Sequence, residues 1–166
     1  MLGLKDIVKR EEEKKNNAKI IEEYFKTGIQ KDFYSFLKEN ESEIESVGYT
    51  FSISKQKSEY DNLVVCIYPI NYIKEGVFNT KMEKYDDIDS KHFSNFPYYI
   101  KIGATFNKNV YIGIANYANK GNFKPYDRKD FSFDFNKRNS SVYKHKVFTS
   151  WLKYAISLLE KRNWVL

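Results

Sequence analysis

Hydrophobic and polar positions alternate most cleanly between Tyr98 and Ala118, in the stretch YYIKIGATFNKNVYIGIANYA. Tyr98, Ile100, Ile102, Ala104 and Phe106 alternate with Tyr99, Lys101, Gly103 and Thr105, the period of two of a half-buried strand. Val110, Ile112 and Ile114 resume the pattern after a polar break. A three-residue loop from Asn107 to Asn109, with Asn109 in the left-handed conformation, would pair Phe106 with Val110, Ala104 with Ile112 and Ile102 with Ile114. One face of this hairpin is then apolar throughout. The other sets Gly103 opposite Gly113, Thr105 opposite Tyr111 and Tyr99 opposite Tyr117. Such a glycine trough framed by tyrosines serves either a bound partner or a helix that approaches the sheet closely.

Around this hairpin the periodicity predicts helices at both ends of the chain. Leu4, Ile7 and Val8, then Ala18, Ile21, Tyr24 and Phe25, have helical spacing, whereas Arg10 to Asn17 is wholly polar. This helix is expected to end at Gly28. A second should run from Ile29 to Ser46, with Phe33, Phe36, Leu37, Ile44 and Val47 on one side and Glu39, Glu41, Glu43 and Glu45 solvated. After Gly48, Tyr49, Phe51 and Ile53 alternate with Thr50, Ser52 and Ser54. A polar turn from Lys55 to Asn62 leads into LVVCIYP, a strand buried on both faces and closed by Pro69. Residues 71–97 are irregular, with a short strand or turn expected over Tyr72 to Phe78. Ala118 to Arg128 is a second polar loop, Phe131 to Phe135 a last strand, and Val142 to Arg162 an amphipathic helix with a wide apolar face. The expected architecture is α+β: an antiparallel sheet of about five strands with two N-terminal helices and one C-terminal helix packed mainly on one face. It forms one domain over 1–166, with a helical segment 4–46, a sheet 49–135 and a closing helix 142–162.

Composition narrows the function classes. The 166 residues suffice for one hydrophobic core, and 14 Tyr with 13 Phe are incompatible with a disordered chain. Lys and Arg exceed Asp and Glu by 28 to 22, a net charge of +6 that favours anionic partners, although the interleaved acids argue against a dedicated nucleic-acid surface. Cys66 is the single cysteine and sits in an apolar run, which predicts an inert buried thiol. No stretch reaches the ~20 apolar residues of a membrane span, and the N-terminus turns charged too early for a secretory signal, so a cytoplasmic location without membrane contact is expected. Abundant Lys, Asn, Ile, Tyr and Phe, all with AT-rich codons, suggest an AT-rich genome such as that of a bacterium, phage or mobile element.

Motifs for catalysis are sparse. There is no GxSxG, Gly-rich phosphate loop, HExxH or CxxC, and His92 and His145 are the only histidines. Asp86, Asp87, Asp89 and His92 could converge on a divalent ion but lack the glycine of a calcium loop, and a solvated acidic loop is the expectation. Asp127, Asp130 and Asp134 are a weaker cluster. The order helix, strand, hairpin, strand resembles the restriction-endonuclease-like nuclease core, with Asp61 before the second strand and Lys101 on the third. That resemblance implies Mg²⁺-dependent cleavage, but Tyr99 occupies the position of the second carboxylate, leaving the metal cradle incomplete. No metal, cofactor or catalytic residue is assigned.

Binding is the reading that remains. Tyr99, Lys101, Tyr111 and Tyr117 on one sheet face, with Lys108 at the hairpin tip and Lys120, Lys124, Arg128 and Lys129 in the following segment, combine stacking rings with cations. Tyr and Arg are equally favoured at protein interfaces. The expected function is a non-enzymatic macromolecular binding protein, such as a phage or mobile-element accessory inhibitor of a nucleic-acid-handling complex like a host defence nuclease. Direct single-stranded nucleic-acid binding and a metal-dependent or degenerate nuclease-like enzyme are the alternatives. The apolar end Leu4, Ile7 and Val8 also favours self-association through the N-terminal helix.

Overall fold

In the computed structural model, residues 3–55, 63–70, 98–105, 107–116 and 128–161 are described. The first helix does not stop at Gly28. Helix α1 (Leu4–Glu23) runs through a π-turn (Tyr24–Gly28) directly into α2 (Ile29–Glu39). The turn is widened because the Ile29 N–H bonds the Tyr24 carbonyl five residues back. Glycine usually ends a helix by turning left-handed, but Gly28 keeps right-handed helical angles, φ −67° and ψ −46°. Its small size is used differently: a Cβ here would lie 2.6 Å from Tyr24 Cδ2. The Tyr24 ring therefore lies over Gly28, and its hydroxyl donates to Asp32 Oδ2 at 2.9 Å. Burial, reinforced by that carboxylate, pushes the Tyr24 hydroxyl pKa upward. Gln30 is buried beside the turn, and its Nε2 donates to the Phe25 carbonyl at 2.8 Å.

The expected second helix is divided at Asn40, which leaves helical geometry at φ −109°. Its side-chain amide donates to the Phe36 carbonyl at 2.8 Å, ending α2 before the short α3 (Glu41–Ser46). Gly48, at φ +96°, supplies the left-handed turn into the sheet, and its carbonyl accepts from the Ile70 N–H at 2.9 Å.

The sheet comprises β1 (Tyr49–Lys55), β2 (Leu63–Pro69), β3 (Tyr98–Ala104), β4 (Val110–Asn116) and β5 (Lys129–Phe131). All four pairings are antiparallel and the spatial order follows the chain, β1-β2-β3-β4-β5. LVVCIYP is buried along its whole length, as its two-sided apolar pattern predicts.

The central hairpin differs from expectation in register. Ala104 pairs with Val110, Ile102 with Ile112 and Ile100 with Ile114, a shift of two residues. Every side chain keeps its face, because only an odd slip exchanges the faces. The Thr105 N–H bonds the Asn109 carbonyl at 2.9 Å, and the left-handed residue is Lys108, φ 58°, rather than Asn109. The observed register stacks isoleucine on isoleucine and sets Tyr111, not Gly113, opposite Gly103.

Helix α4 (Ser141–Glu160) begins at Ser140, whose Oγ accepts from the Tyr143 N–H at 3.2 Å. It crosses one sheet face with α2. Ile29, Phe33, Phe36 and Leu37 of α2 and Phe148, Trp151, Ala155, Leu158 and Leu159 of α4 join Phe51, Ile53, Val65, Ile67, Ile100, Ile102 and Ile112 in one core. The last strand lies earlier than its alternation suggests, since β5 ends at Phe131, the first residue of the expected strand Phe131–Phe135. Asp134 accepts from the Asn136 N–H at 3.0 Å and turns the chain into a 3₁₀ turn (Phe135–Lys137), while Phe133 still reaches the core and stacks on Phe148.

Candidate interaction edge

The sheet face that carries Tyr99 and Lys101 is not an open trough. Tyr99 is 4% and Lys101 7% exposed, and Thr50, Ser52, Cys66 and Tyr68 are buried with them. Cross-strand register places Ser52, Cys66, Lys101 and Gly113 in one row. Cys66 is buried as expected, and burial pushes its thiol up to about 12 against a lowering pull from Lys101. Thr50 Oγ1 and Ser52 Oγ are buried without a hydrogen-bond partner, and this face lies outside the helix-side core. Tyr99 and Lys101, expected to project towards a partner, present almost no surface.

Among the described residues, the exposed side chains of the sheet lie at the β4–β5 edge. Tyr111 pairs with Asp130 and is half-buried; its ring covers Gly103, where a Cβ would meet the phenol carbon at 2.7 Å. Burial raises the Tyr111 hydroxyl pKa. The Arg128 guanidinium lies 4.9 Å from the centre of that ring, and its Nε donates to Asp130 Oδ1 at 2.9 Å. On the opposite side of the strand, Lys129 Nζ sits 5.2 Å from the Phe131 ring and 5.6 Å from the Tyr154 ring. Those two rings meet edge to face at 5.3 Å. Lys108 is exposed at the hairpin tip. The edge strand thus carries a cation over an aromatic surface on each of its faces. Among the described residues, Lys108, Arg128 and Lys129 share this edge with the carboxylate of Asp130.

Of the expected binding residues, Tyr111 and Arg128 come together, Lys129 lies on the other face of the same strand, Lys108 marks the same end of the hairpin, and Tyr99 and Lys101 lie beneath the surface. Tyr117, Lys120 and Lys124 fall outside the described residues, as do Asp61, Asp86, Asp87, Asp89, His92 and Asp127. Asp130 is ion-paired to Arg128, and Asp134 caps a turn. Among the described residues no three His, Cys, Asp or Glu side chains group around a common point. No helix among them is long and apolar enough to cross a membrane.

Tyr154 was missed by sequence reasoning because it lies far along the chain on α4. A second feature was missed for the same reason. An open groove of about 590 Å³ separates α2 from the start of α4, lined by Asp32, Phe36, Glu39, Val142, Lys144 and His145. His145 meets the Phe36 ring edge to face at 5.6 Å, and Lys144 Nζ is 3.6 Å from Asp32. The groove carries both signs of charge and favours no single ligand class.

Comparison with family models, curated proteins and solved structures finds no match for this chain.

Proposed function

We propose that this chain is a non-enzymatic binding protein that occludes an acidic surface on a protein complex that handles nucleic acid. Its contact surface is the β4–β5 edge, and the reading extends to an accessory inhibitor carried by a phage or mobile element. The observation that carries it is the pair of cation-on-ring stacks, Arg128 on Tyr111 and Lys129 on Phe131 and Tyr154. Arginine and tyrosine on a rigid support are the residue types that dominate interface energy, since their rings and planar guanidinium order at low entropic cost. Stacking on the Tyr111 ring steadies a guanidinium whose planar fork suits a carboxylate or phosphate.

Capture from host lysate with wild type beside an Arg128→Ala, Lys129→Ala double variant tests the reading, with eluates divided for protein and nucleic acid. A stoichiometric protein held by wild type and lost with the variant is the expected result. Loss of one hot-spot cation costs about 2 kcal/mol, roughly 30-fold in Kd. Nucleic acid alone, released with a steep salt dependence, would replace this reading with direct single-strand binding. A partner held equally by the variant would remove the edge from the account.

A further inference from the structure

Helix α1 has no buried residue over its 20 positions, yet it carries apolar side chains that a solvated helix does not need: Leu4 is 81%, Ile7 48% and Val8 53% exposed. Positions 4, 7, 11, 14, 18 and 21 follow the alternating three and four spacing of a coiled-coil seam. They read Leu, Ile, Glu, Lys, Ala, Ile. The two charged positions sit at the centre, and within one helix Lys14 Nζ lies 3.8 Å from Glu11 Oε1.

We infer that α1 is the self-association surface of this protein and that its occupant is α1 of a second copy, packed antiparallel. The order of residues along the seam decides the orientation. In an antiparallel pair centred between Glu11 and Lys14, Leu4 meets Ile21 of the second copy, Ile7 meets its Ala18, and Glu11 meets its Lys14. Each contact occurs twice by the two-fold axis, so both ends are apolar and both central layers join opposite charges. A parallel pair would set Glu11 on Glu11 and Lys14 on Lys14, like charges in adjacent layers. Charge order of this kind selects one pairing by penalising the other. The seam from Leu4 to Ile21 is about 26 Å long at 1.5 Å per residue. Residues 3–20 are all exposed, so the copy's helix meets no obstruction along them. Ile21 alone also packs against its own domain. The dimer holds two β4–β5 edges in one particle, which multiplies the apparent affinity for a partner that repeats its own site.

Cysteine pairing across the seam and sedimentation velocity test the orientation together. A chain carrying Ile7→Cys mixed with one carrying Ala18→Cys is expected to form a mixed disulfide on mild oxidation, whereas Ile7→Cys alone is not, because its two thiols lie on opposite ends. Buried Cys66 takes no part. Wild type is expected to shift from one chain to two with concentration. Glu11→Lys and Lys14→Glu should each remain single chains, and an equal mixture of the two should recover the dimer. All these positions are exposed in the monomer, so circular dichroism should report an unchanged fold. Wild type sedimenting as one chain at every concentration, self-linking of Ile7→Cys, or a dimer indifferent to both charge substitutions would overturn the inference.

Discussion

Gly28→Ala sets two effects of known size against each other. Within a helix, alanine is more stable than glycine by about 1 kcal/mol, and Gly28 has the right-handed angles that alanine prefers. Propensity alone therefore predicts stabilisation. The added Cβ, however, would lie 2.6 Å from Tyr24 Cδ2 and 3.2 Å from Cε2, so the ring must move. That ring is held by its hydrogen bond to Asp32 and by ring contacts to Phe25, Phe133 and Phe135 at 5.7–5.9 Å between centroids. A hydrogen bond to a charged group contributes about 1.5–3 kcal/mol and each aromatic pair about 0.5–1.5 kcal/mol. Loss of the hydrogen bond and part of the packing outweighs the propensity gain, giving a net destabilisation of about 1–3 kcal/mol, or roughly 2–4 °C in Tm per kcal/mol for a chain of this size. Urea unfolding followed by circular dichroism measures it. The decisive comparison is the same substitution in a Tyr24→Ala background, where the obstacle is gone and Gly28→Ala should stabilise by up to about 1 kcal/mol. Equal stabilisation in both backgrounds would refute the proposed contact between Tyr24 and Gly28.

Three further outcomes follow from the packing and the buried thiol. Gly103→Ala should loosen Tyr111 and the Arg128 stacked on it, costing about 1–3 kcal/mol by overpacking, with a change in the Tyr111 ring signals in NMR; no change in either would mean the ring does not rest on Gly103. Trp151→Ala, which removes contacts to Phe33, Phe131, Phe133 and Phe148, should cost about 3–5 kcal/mol in urea unfolding, and a cost below 1 kcal/mol would contradict the central place given to it in the core. Cys66 has its pKa raised from an ordinary 9.0 to about 12, so the unfolded chain releases this proton first and stability should fall as pH rises from 9 to 12. Cys66→Ala should lessen that slope, and a thiol reagent at pH 8 should label Cys66 only after unfolding; rapid labelling of the folded chain would show the thiol to be accessible.

The fold was legible where the signal is local. The two-residue period of β1, β3 and β4, the two-sided apolar run of β2 and the wide apolar face of α4 all correspond to the observed elements, because strands and sheet-packed helices impose those patterns. The hairpin register was not legible to the residue, since a shift of two preserves the face of every side chain and the deciding contact, Tyr111 over Gly103, joins neighbouring strands. Gly28 misled for a related reason: glycine signals either a left-handed turn or a close approach, and the ring requiring the approach lies one turn back. Tyr111, Arg128 and Lys129 were found as an aromatic and basic group, but burial of Tyr99 and Lys101 depends on the whole fold rather than on their own alternation. Tyr154 joins the edge only through the packing of α4 on the sheet.

The central claim is that the β4–β5 edge is the contact surface. Hydrogen exchange of the captured complex against the free protein measures this most directly. The account predicts slowed exchange in 107–112 and 128–131, centred on Lys108, Tyr111 and Arg128, with the core strands β2 and β3 unchanged. Unchanged exchange along that edge, with protection appearing on another surface such as the groove between α2 and α4, would contradict it.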